Sequence, residues 1–411
     1  MTRALRLLLY LCAGLVLLAT SAAGWLRFTG LPTYPVRRVD LTVERTPERV
    51  TEGRRLTTMM CVPCHRDQET GTLSGREISD VPAVFGRFYS ANITHDPVNG
   101  IPAWTDGQLA WLLRTGVRPD GRLAVVMPAF PGLDDEELAD IIAFLRSDDP
   151  LVAATSARTR PPEPSLFGKA LARLVFKPHA MPDGPTSAPP RTDRVSFGRY
   201  LALRRLQCYG CHSADFAKND DEVPERSAGF FGGGNELLDA DGAPIYSANI
   251  TADLETGIGR WSEADFRRAI KGGIRPDNVP LRSPMPIVPE LTDEEAASIY
   301  AYLRTVPRLR NPRRLGPQRT EAAAAGSASR GQAVYNTYCA GCHGTTGRQT
   351  FDLTRAGRDF RTHDELKAWI RRPAAFRPWA RMPEWDGILR EEDIDAVAAY
   401  VRVLGDQNAS R

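Results

Sequence analysis

Three copies of one short motif constrain this chain of 411 residues more than any other feature. The motif is Cys-x-x-Cys-His, and its copies begin at Cys61, Cys208 and Cys339. Two thiols three positions apart on a helical turn can each add to one vinyl group of a haem, and the adjoining histidine then lies beneath the iron. The predicted attachment cysteines and proximal histidines are Cys61, Cys64 and His65, then Cys208, Cys211 and His212, and finally Cys339, Cys342 and His343.

Other uses of paired cysteines explain the pattern less well. Disulfides are common in exported proteins, but they do not require a histidine after every pair, and three of the six histidines in the chain occupy that position. A zinc site needs the pairs to converge on four ligands, whereas the motifs stand 147 and 131 residues apart. A thioredoxin-like motif needs a βαβ context that the sequence lacks. The pattern therefore favours haem at each motif.

A methionine-proline pair follows each motif in an equivalent place. Each pair lies 20 to 23 residues after a predicted helix cap, with an apolar residue six positions further on and then an acidic helix start. Methionine is a common sixth iron ligand in electron-transfer cytochromes, and the following proline stiffens the loop. Core packing is the ordinary role of a methionine, but it does not explain three pairs at one offset. The predicted axial ligands are Met127, Met285 and Met382.

Several methionines and histidines lack this setting. Met181 also precedes a proline, but it lies in a proline-rich stretch with no helix after it. Met59 and Met60 precede the first motif on the same segment, so they are badly placed to reach the opposite face of a haem. The remaining histidines are interpreted as surface or loop residues: His95, His179 and His363.

The order of elements around each motif predicts a repeated unit of ordinary domain size. A helix with a glycine precedes each motif, a capped helix follows it, and the methionine loop leads to a last helix. The middle cap is the weakest, because Asp265 stands where Glu or Gln is usual. The predicted fold class is all-α: three tandem domains with long loops after an N-terminal hydrophobic helix. The predicted bounds are 1–26 for the hydrophobic segment, 45–149, 193–306 and 328–406 for the domains, and 150–192 and 307–327 for the linkers.

A hexapeptide, YSANIT, occurs at Tyr89–Thr94 and again at Tyr246–Thr251. It belongs to an insert of the first two units, where 44 and 54 residues separate the first cysteine from the helix cap, against 23 in the third. We interpret the insert as a wall of the haem pocket. Its arginines would meet the haem propionates, since arginine pairs well with carboxylates. The alternative is packing of the insert against its own domain. The candidate wall residues are Tyr89 and Tyr246, Trp104 and Trp261, and Arg118 and Arg275.

The chemistry of the hexapeptide argues against catalysis. It pairs no nucleophile with a base. Its asparagines, Asn92 and Asn249, also fit the N-x-Thr glycosylation sequon. Identical placement in two duplicated units favours an architectural role over a glycan.

The N-terminal segment predicts export. Arg3 and Arg6 precede 20 uncharged residues, which suit both a signal peptide and a membrane-spanning helix. In either case the positive end stays inside and the rest of the chain is exported. The net charge of +3 gives no sign of nucleic-acid binding.

Each unit resembles a class I cytochrome c domain, and the whole chain resembles the triple-haem cytochrome c subunits of bacterial membrane-bound alcohol, aldehyde and gluconate dehydrogenases. The resemblance rests on the three haem motifs, the hexapeptides, the GIPAW and GIGRW stretches, the VRPDG and IRPDN stretches and the Met-Pro loops, and covers roughly residues 45 to 405. It implies that electrons come from a periplasmic dehydrogenase subunit and pass to the quinone pool or a terminal oxidase.

The sequence thus predicts an exported carrier with three covalently bound haem c groups, each iron held by histidine and methionine, and no catalytic residues for an organic substrate. Six-coordinate iron moves electrons and leaves no open position. We expect it on the periplasmic side of the bacterial inner membrane, anchored by its N-terminal segment or held there by a complex. The alternatives are an independent electron relay and a multi-haem peroxidase or reductase, which would need an open iron position and an acid–base group.

Overall fold

The computed structural model describes residues 2–78, 81–158, 160–311, 330–348, 352–377 and 380–409. The chain groups into two units, Met1–Gly53 with Cys64–Thr186 and Arg54–Pro63 with Ser187–Arg411. Most of the arginine-rich second linker lies outside the described residues. The division into three domains stays a prediction.

Helices make up most of the regular structure up to residue 186, as predicted. Two very short strands, β1 (Gly86–Arg87) and β2 (Glu163–Pro164), pair antiparallel beside them. The helices are α1 (Arg3–Phe28), α2 (Pro47–Met60), α3 (Val62–His65), α4 (Asp106–Thr115), α5 (Asp135–Leu145) and α6 (Leu166–Leu174), with 3₁₀ turns at Ala83–Phe85 and Pro150–Val152.

The rest of the chain is also helix-rich, with one antiparallel pair of strands, β3 (Glu236–Leu238) and β4 (Pro244–Tyr246), among the described residues. Its helices are α7 (Arg194–Tyr200), α8 (Cys208–His212), α9 (Glu263–Gly272), α10 (Asp293–Leu303), α11 (Arg330–Val334), α12 (Ala340–His343), α13 (Ala356–Asp359), α14 (His363–Arg371), α15 (Pro373–Phe376) and α16 (Glu391–Ala409). Single π-turns cover Leu201–Arg205 and Tyr335–Cys339, and 3₁₀ turns cover Phe216–Lys218, Pro224–Arg226 and Leu353–Arg355.

The helix before each haem motif crosses the last helix of its repeat at a glycine. A Cβ added to Gly53 would lie 1.8 Å from the carbonyl oxygen of Asp140 on α5, and one added to Gly198 would lie 1.8 Å from that of Ser298 on α10. Gly331 meets α16 in the same way, at 2.2 Å. These separations are far below van der Waals contact, so only glycine allows the two backbones to approach so closely.

Capping boxes begin the helix that follows each haem motif, as the sequence predicted. In α4, α9 and α14 the N-cap hydroxyl accepts the backbone N–H of the third helical residue, and that residue's side chain accepts the N-cap N–H. The box that was expected to be weakest is complete, because Asp265 Oδ2 accepts from the Ser262 backbone at 2.9 Å. Each box orders the start of the helix that leads into a methionine loop.

A buried ion cluster in the second unit is centred on a carboxylate of α10. It joins α10 to an arginine of α2 and to an arginine before the Cys208 motif. Glu295, fully buried on α10, accepts from Arg55 at 2.7 and 3.0 Å and from Arg205 at 2.5 Å. Burial by itself would raise the pKa of this carboxyl, but the two guanidinium groups prevail and lower it to about 2. Arg205 lies three residues before Cys208, so the cluster fixes the approach to that motif.

The described residues of the second unit form two hydrophobic cores. One is built mainly on α7, α9 and α10 and includes Met59. The other is built mainly on α11, α14 and α16 and includes Ile274. The structure therefore has a separate core for each of the second and third repeats.

Candidate haem-attachment sites

Two of the three predicted proximal histidines make the same buried hydrogen bond. His65 is 8% exposed, and its Nδ1 lies 2.8 Å from the carbonyl oxygen of Ala91. His212 is 9% exposed, and its Nδ1 lies 2.8 Å from the carbonyl oxygen of Ala248. A carbonyl oxygen can only accept, so Nδ1 carries the hydrogen in both rings and Nε2 keeps its lone pair. Each ring is thereby held with its metal-binding nitrogen available.

Both carbonyls belong to the third residue of the repeated hexapeptide. The sequence directed attention to the tyrosines, and it gave Ala91 and Ala248 no role because alanine has no polar side chain. The identical repetition of all six residues was the feature of the sequence that could have pointed to these two alanines. The hexapeptide therefore acts on the histidines through its backbone.

The asparagine of each hexapeptide fixes the path of that backbone. Asn92 Oδ1 accepts from the backbone N–H and the hydroxyl of Thr94, at 2.9 and 2.7 Å, and Asn249 makes the same two bonds to Thr251 at the same distances. Asn92 Nδ2 donates to the Thr155 carbonyl at 2.9 Å. Asn249 Nδ2 donates to the corresponding stretch after α10, at the Leu309 carbonyl. The two asparagines are 1% and 7% exposed, so the architectural role is the one that their surroundings support.

The segment after each of these motifs runs back past the histidine. The Gly75 N–H donates to the His65 carbonyl and the Gly233 N–H donates to the His212 carbonyl, both at 2.8 Å. Both glycines have positive φ, 87° and 67°, which non-glycine residues seldom adopt. The isoleucine of each hexapeptide donates, at 2.9 Å, to the residue two positions before that glycine. Motif, return segment and hexapeptide thus form one hydrogen-bonded assembly in each of the two repeats.

The third motif is built without the insert. His343 is 9% exposed. The buried hydroxyl of Tyr335 donates to the Gly344 carbonyl at 2.7 Å, directly after the histidine. This bond fixes the turn that leaves the motif.

The third motif lies against the methionine loop of the second repeat. Cys342 Sγ is 3.7 Å from the Leu281 carbonyl oxygen, and the Ser283 N–H donates to the Gly341 carbonyl at 3.2 Å. A Cβ added to Gly341 would lie 3.2 Å from Cγ of Arg282. The contacted residues stand two to four positions before the predicted methionine ligand of the second repeat.

The methionine loops of the second and third repeats also touch each other. The largely buried Arg381 donates to the Ile287 carbonyl at 2.8 Å and pairs with Glu290 at 3.1 Å. Pro383 packs closely enough on Gly273 that a Cβ there would lie 3.2 Å from its ring. The residues on either side of Met382 are thus fixed against the second repeat.

The predicted methionine ligands lie in similar local settings. Met127 donates its backbone N–H to the Ala124 carbonyl at 3.0 Å, and Met285 donates to the Arg282 carbonyl at 2.9 Å, so both sit at the same point of a tight turn. Met382 packs against the core of the third repeat. All three are half-buried.

The methionines that the sequence set aside occupy other places. Met59 is a core residue of the second unit. Met181 packs on a small cluster of Trp111, Val117 and Leu123. The Met181 side chain therefore has a packing role.

The candidate wall residues differ between the two copies. The Tyr89 hydroxyl is buried and has no partner among the described residues, whereas the Tyr246 hydroxyl donates to Glu236 at 3.2 Å. Arg118 lies 5.7 Å from the centre of the Trp104 ring. These guanidinium groups also have carboxylate neighbours two positions on: Arg118 has Asp120 at 3.7 Å and Arg275 has Asp277.

The remaining histidines have protein partners of their own. His95 Nε2 lies 2.8 Å from the carbonyl oxygen of Leu145, and His363 Nε2 lies 3.1 Å from Asp395. His179 donates its backbone N–H to the Thr115 carbonyl. The rings of His95 and His363 thus have partners within the protein, and the absence of all three histidines from the iron ligands stays a prediction.

Burial favours the neutral forms of the imidazoles and thiols in the haem motifs. It lowers the pKa of His65 and His212, so both rings are neutral near pH 7. It raises the pKa of the Cys208 and Cys339 thiols to about 12. Neutral thiols and neutral imidazoles need no counter-ion, which suits an apolar haem pocket.

The residues present fit haem c better than a metal ion alone. The described residues hold no group of three or more His, Cys, Asp or Glu side chains placed to bind an ion. Two histidines are oriented with Nε2 available, and the buried Tyr89 hydroxyl is a donor that a haem propionate would satisfy.

A family model described as cytochrome c oxidase, cbb3-type, subunit III matches residues 48–145 and 326–401. These ranges contain the first and third haem motifs together with their Met-Pro pairs. The chain is also 29% identical over 315 residues to a diheme cytochrome c-type protein of Cereibacter sphaeroides, an alignment that covers 71% of this chain and 96% of that protein.

Two dehydrogenase subunits are similar over much of the chain. The fructose dehydrogenase cytochrome subunit of Gluconobacter japonicus is 28% identical over 324 residues, covering 71% of this chain and 63% of that protein. The cytochrome c subunit of the quinone-dependent alcohol dehydrogenase of Gluconobacter oxydans (strain 621H) is 27% identical over 308 residues, covering 70% and 61%. The matched region is thus less than two thirds of either relative.

These similarities confirm the predicted resemblance to cytochrome c subunits of bacterial dehydrogenases. The relatives themselves are cytochrome subunits of fructose and alcohol dehydrogenases and a diheme cytochrome c-type protein.

Proposed function

We propose that this chain is a three-haem electron carrier on the periplasmic side of the bacterial inner membrane. It would take electrons from a dehydrogenase subunit and deliver them to quinone or a terminal oxidase. Haem iron with two axial ligands supplies one-electron chemistry between its ferric and ferrous states. The polypeptide would hold and orient the haems and would not act on an organic substrate itself.

The residue roles follow the repeat. Each pair of motif cysteines would anchor one haem, each motif histidine would bind the iron through Nε2, and each Met-Pro methionine would bind the opposite face. The observation that carries this proposal is the pair of identical bonds from His65 to Ala91 and from His212 to Ala248, because they fix the tautomer that an iron ligand requires.

The contacts between the second and third repeats support transfer from one haem to the next. The third motif lies against Leu281 and Ser283, within the loop that leads to Met285. Arg381, beside Met382, is fixed to the same stretch of the second repeat. The groups proposed to hold the two haems therefore share one packed interface, which would keep the haems at a constant separation.

An independent relay, not bound stably to a dehydrogenase, is the nearest rival. The similarity to subunits of dehydrogenase complexes favours the complex. A peroxidase or reductase is a more distant rival, since it would need one iron without a firm sixth ligand. Three Met-Pro pairs in equivalent positions favour electron transfer over it.

Purification of the mature protein from membranes of its host tests the proposal. Intact mass after denaturation should exceed the polypeptide mass by three haem groups, and a dehydrogenase subunit should co-purify. A protein with three haems that always purifies alone would favour the independent relay. A mass with two haems or fewer would contradict the site that lacks one, and tight binding of cyanide to one ferric haem would favour an enzyme.

A further inference from the structure

A short amphipathic helix caps the end of the membrane-length helix α1. Lys169 of α6 donates through Nζ to the carbonyl oxygens of Leu26 and Arg27, at 2.9 and 3.1 Å. The guanidinium of Arg173 lies 4.7 Å from the centre of the Trp25 ring. The last carbonyls of a helix have no partner within it, and positive charge is favourable there. The contact between α1 and α6 is therefore specific.

The helix α6 is itself fixed to the folded part of the first unit. Ser165, its N-cap, donates through its backbone N–H to the Phe85 carbonyl at 3.0 Å and through its hydroxyl to the Val84 carbonyl at 2.6 Å. Gly168 packs so closely on this segment that an added Cβ would lie 2.2 Å from the Phe85 carbonyl oxygen. The Phe167 ring stacks on Phe85 with 5.6 Å between centroids. The position of α6 is thus determined by the domain.

Away from these contacts α6 exposes large apolar side chains, and the ring of Phe167 is partly exposed as well although it stacks on Phe85. Leu166 and Phe167 are 43% and 54% exposed, and Leu174 and Val175 at the other end are 77% and 55% exposed. Leu166, Phe167 and Leu174 fall on one side of a helix with 3.6 residues per turn. Lys169 and Arg173 border this side. An apolar face with a basic border is the pattern of helices that lie in a membrane surface.

The membrane is the partner that this face fits, because the face is continuous with α1. Within the part of the chain that the structure describes, α1 is the helix long and apolar enough to cross a bilayer, and its most apolar stretch is not covered by protein. Its 26 residues extend about 39 Å, enough for a hydrocarbon core of about 30 Å. Trp25, in its last turn, is of the kind that marks the lipid–water boundary.

We propose that α6 is an interfacial helix that lies in the lipid headgroup region where α1 leaves the bilayer, and that α1 is retained in the mature protein as its anchor. The small residues Ser21 and Ala23 suit a signal-peptidase site, and a cut after Ala23 would leave Gly24–Phe28, which is too short to form a helix. Lys169 would then have no helix end to cap. This inference goes beyond the proposed electron-transfer function and does not depend on how many haems are bound.

Lipid-phase photolabelling tests the inference on the full-length mature protein. The protein would be reconstituted in vesicles of phosphatidylethanolamine and phosphatidylglycerol that contain a phospholipid with a diazirine in its acyl chain. We expect peptides from α1 and the tryptic peptide Leu174–Arg191 to carry the label, while the peptide with Val98, an 85% exposed valine of the same unit, does not. N-terminal analysis of the same sample should show a chain that begins before α1.

A double variant tests the exposed face of α6, and a variant of Val98 serves as its control. Leu174→Glu combined with Val175→Glu should lower labelling of the α6 region to the background level, with absorption spectra unchanged. Val98→Glu, which also places a charge at an exposed valine, should not change the labelling. Label on α1 alone would overturn the interfacial role of α6, and a mature chain that begins after Ala23 would overturn retention of the anchor. Either outcome with three normal haems would leave the proposed electron-transfer function intact.

Discussion

The Nδ1 atom of His212 lies 2.8 Å from the carbonyl oxygen of Ala248. The acceptor is a main-chain atom, so the orientation of the ring depends on the path of the hexapeptide and not on the alanine side chain. That path is set by Asn249, which bonds both to Thr251 and to the Leu309 carbonyl. The repeated hexapeptide thus transmits the position of the segment after α10 to a predicted iron ligand.

Replacing each predicted axial methionine by alanine should remove a defined part of one spectral feature. The weak sulfur-to-iron band of the ferric protein should fall by about one third in Met127→Ala, Met285→Ala and Met382→Ala, because each methionine is proposed to bind one iron. Met181→Ala is the control and should leave the band unchanged, since Met181 packs on Trp111, Val117 and Leu123. A full-strength band in one of the three variants would mean that its methionine only packs.

The two hexapeptide tyrosines should differ in their effect on haem potential. Tyr89→Phe removes a buried hydroxyl without a partner among the described residues, which we propose donates to haem. A lost hydrogen bond to a charged propionate of about 1.5–3 kcal/mol corresponds to at most roughly 65–130 mV for one electron. Tyr246→Phe should shift the second haem less, because its hydroxyl already donates to Glu236. Equal shifts in spectroelectrochemical titrations of the two variants would contradict this difference.

The glycine crossing in the second repeat should not tolerate a single added methyl group. Gly198→Ala would place Cβ 1.8 Å from the Ser298 carbonyl and force α7 and α10 apart. Overpacking of this kind costs about 1–3 kcal/mol of unfolding free energy or more. The control is Gly272→Ala in α9, where an added Cβ meets nothing within 4 Å and alanine favours the helix. Denaturant unfolding should show a loss in the first variant only.

The buried carboxyl of Glu295 should make the second unit sensitive to acid. Its pKa is about 2 in the folded protein against an ordinary value of 4.5, so the folded state favours the ionised form. The resulting stability is fully present above about pH 4.5 and is lost as the pH falls towards 2. Glu295→Gln should be less stable at pH 7 and lose this part of the acid dependence. Glu294→Gln, at the exposed neighbouring position, should keep the wild-type profile in thermal unfolding between pH 2 and 7.

The interface between the third motif and the second methionine loop should control transfer between their haems. Gly341→Val would push against Arg282 and separate the two segments. Gly210→Val changes the equivalent position of the second motif, where an added Cβ meets nothing within 4 Å. After photochemical injection of one electron, its redistribution between the second and third haems should slow in the first variant and not in the second. Equal rates would show that the electron takes a route that does not depend on this contact.

The sequence was most informative where chemistry lies in side chains at fixed spacing. The Cys-x-x-Cys-His motifs, the capped helices and the helix with glycine before each motif could be predicted because each depends on local residue types. The contacts of Ala91 and Ala248 could not, since a backbone carbonyl gives no sign in the residue name. The contact of Arg381 with Ile287 and Glu290 was also hidden, because it joins residues more than 90 positions apart.

Two residues that were predicted to meet haem also have local neighbours that the sequence analysis did not consider. Arg118 and Arg275, the candidate partners of haem carboxylates, have Asp120 and Asp277 beside them, and their contact with haem stays a prediction. In both cases the acid stands two residues later in a tight turn, so the local pair forms at little entropic cost. The Arg-Pro-Asp sequence at 118–120 and at 275–277 already contains this short-range acidic partner.

The buried asparagines have a consequence for the choice of expression host. Asn92 and Asn249 lie in N-x-Thr sequons, and in the folded chain their Nδ2 atoms donate to the Thr155 and Leu309 carbonyls. A eukaryotic secretory pathway would present both sequons to glycosyltransferase while the chain is still unfolded. A sugar at either site would have to occupy the space where the segment after α5 or α10 docks. Secretion from yeast or insect cells should therefore yield protein with misplaced hexapeptides, whereas a bacterial periplasm would leave both side chains unmodified.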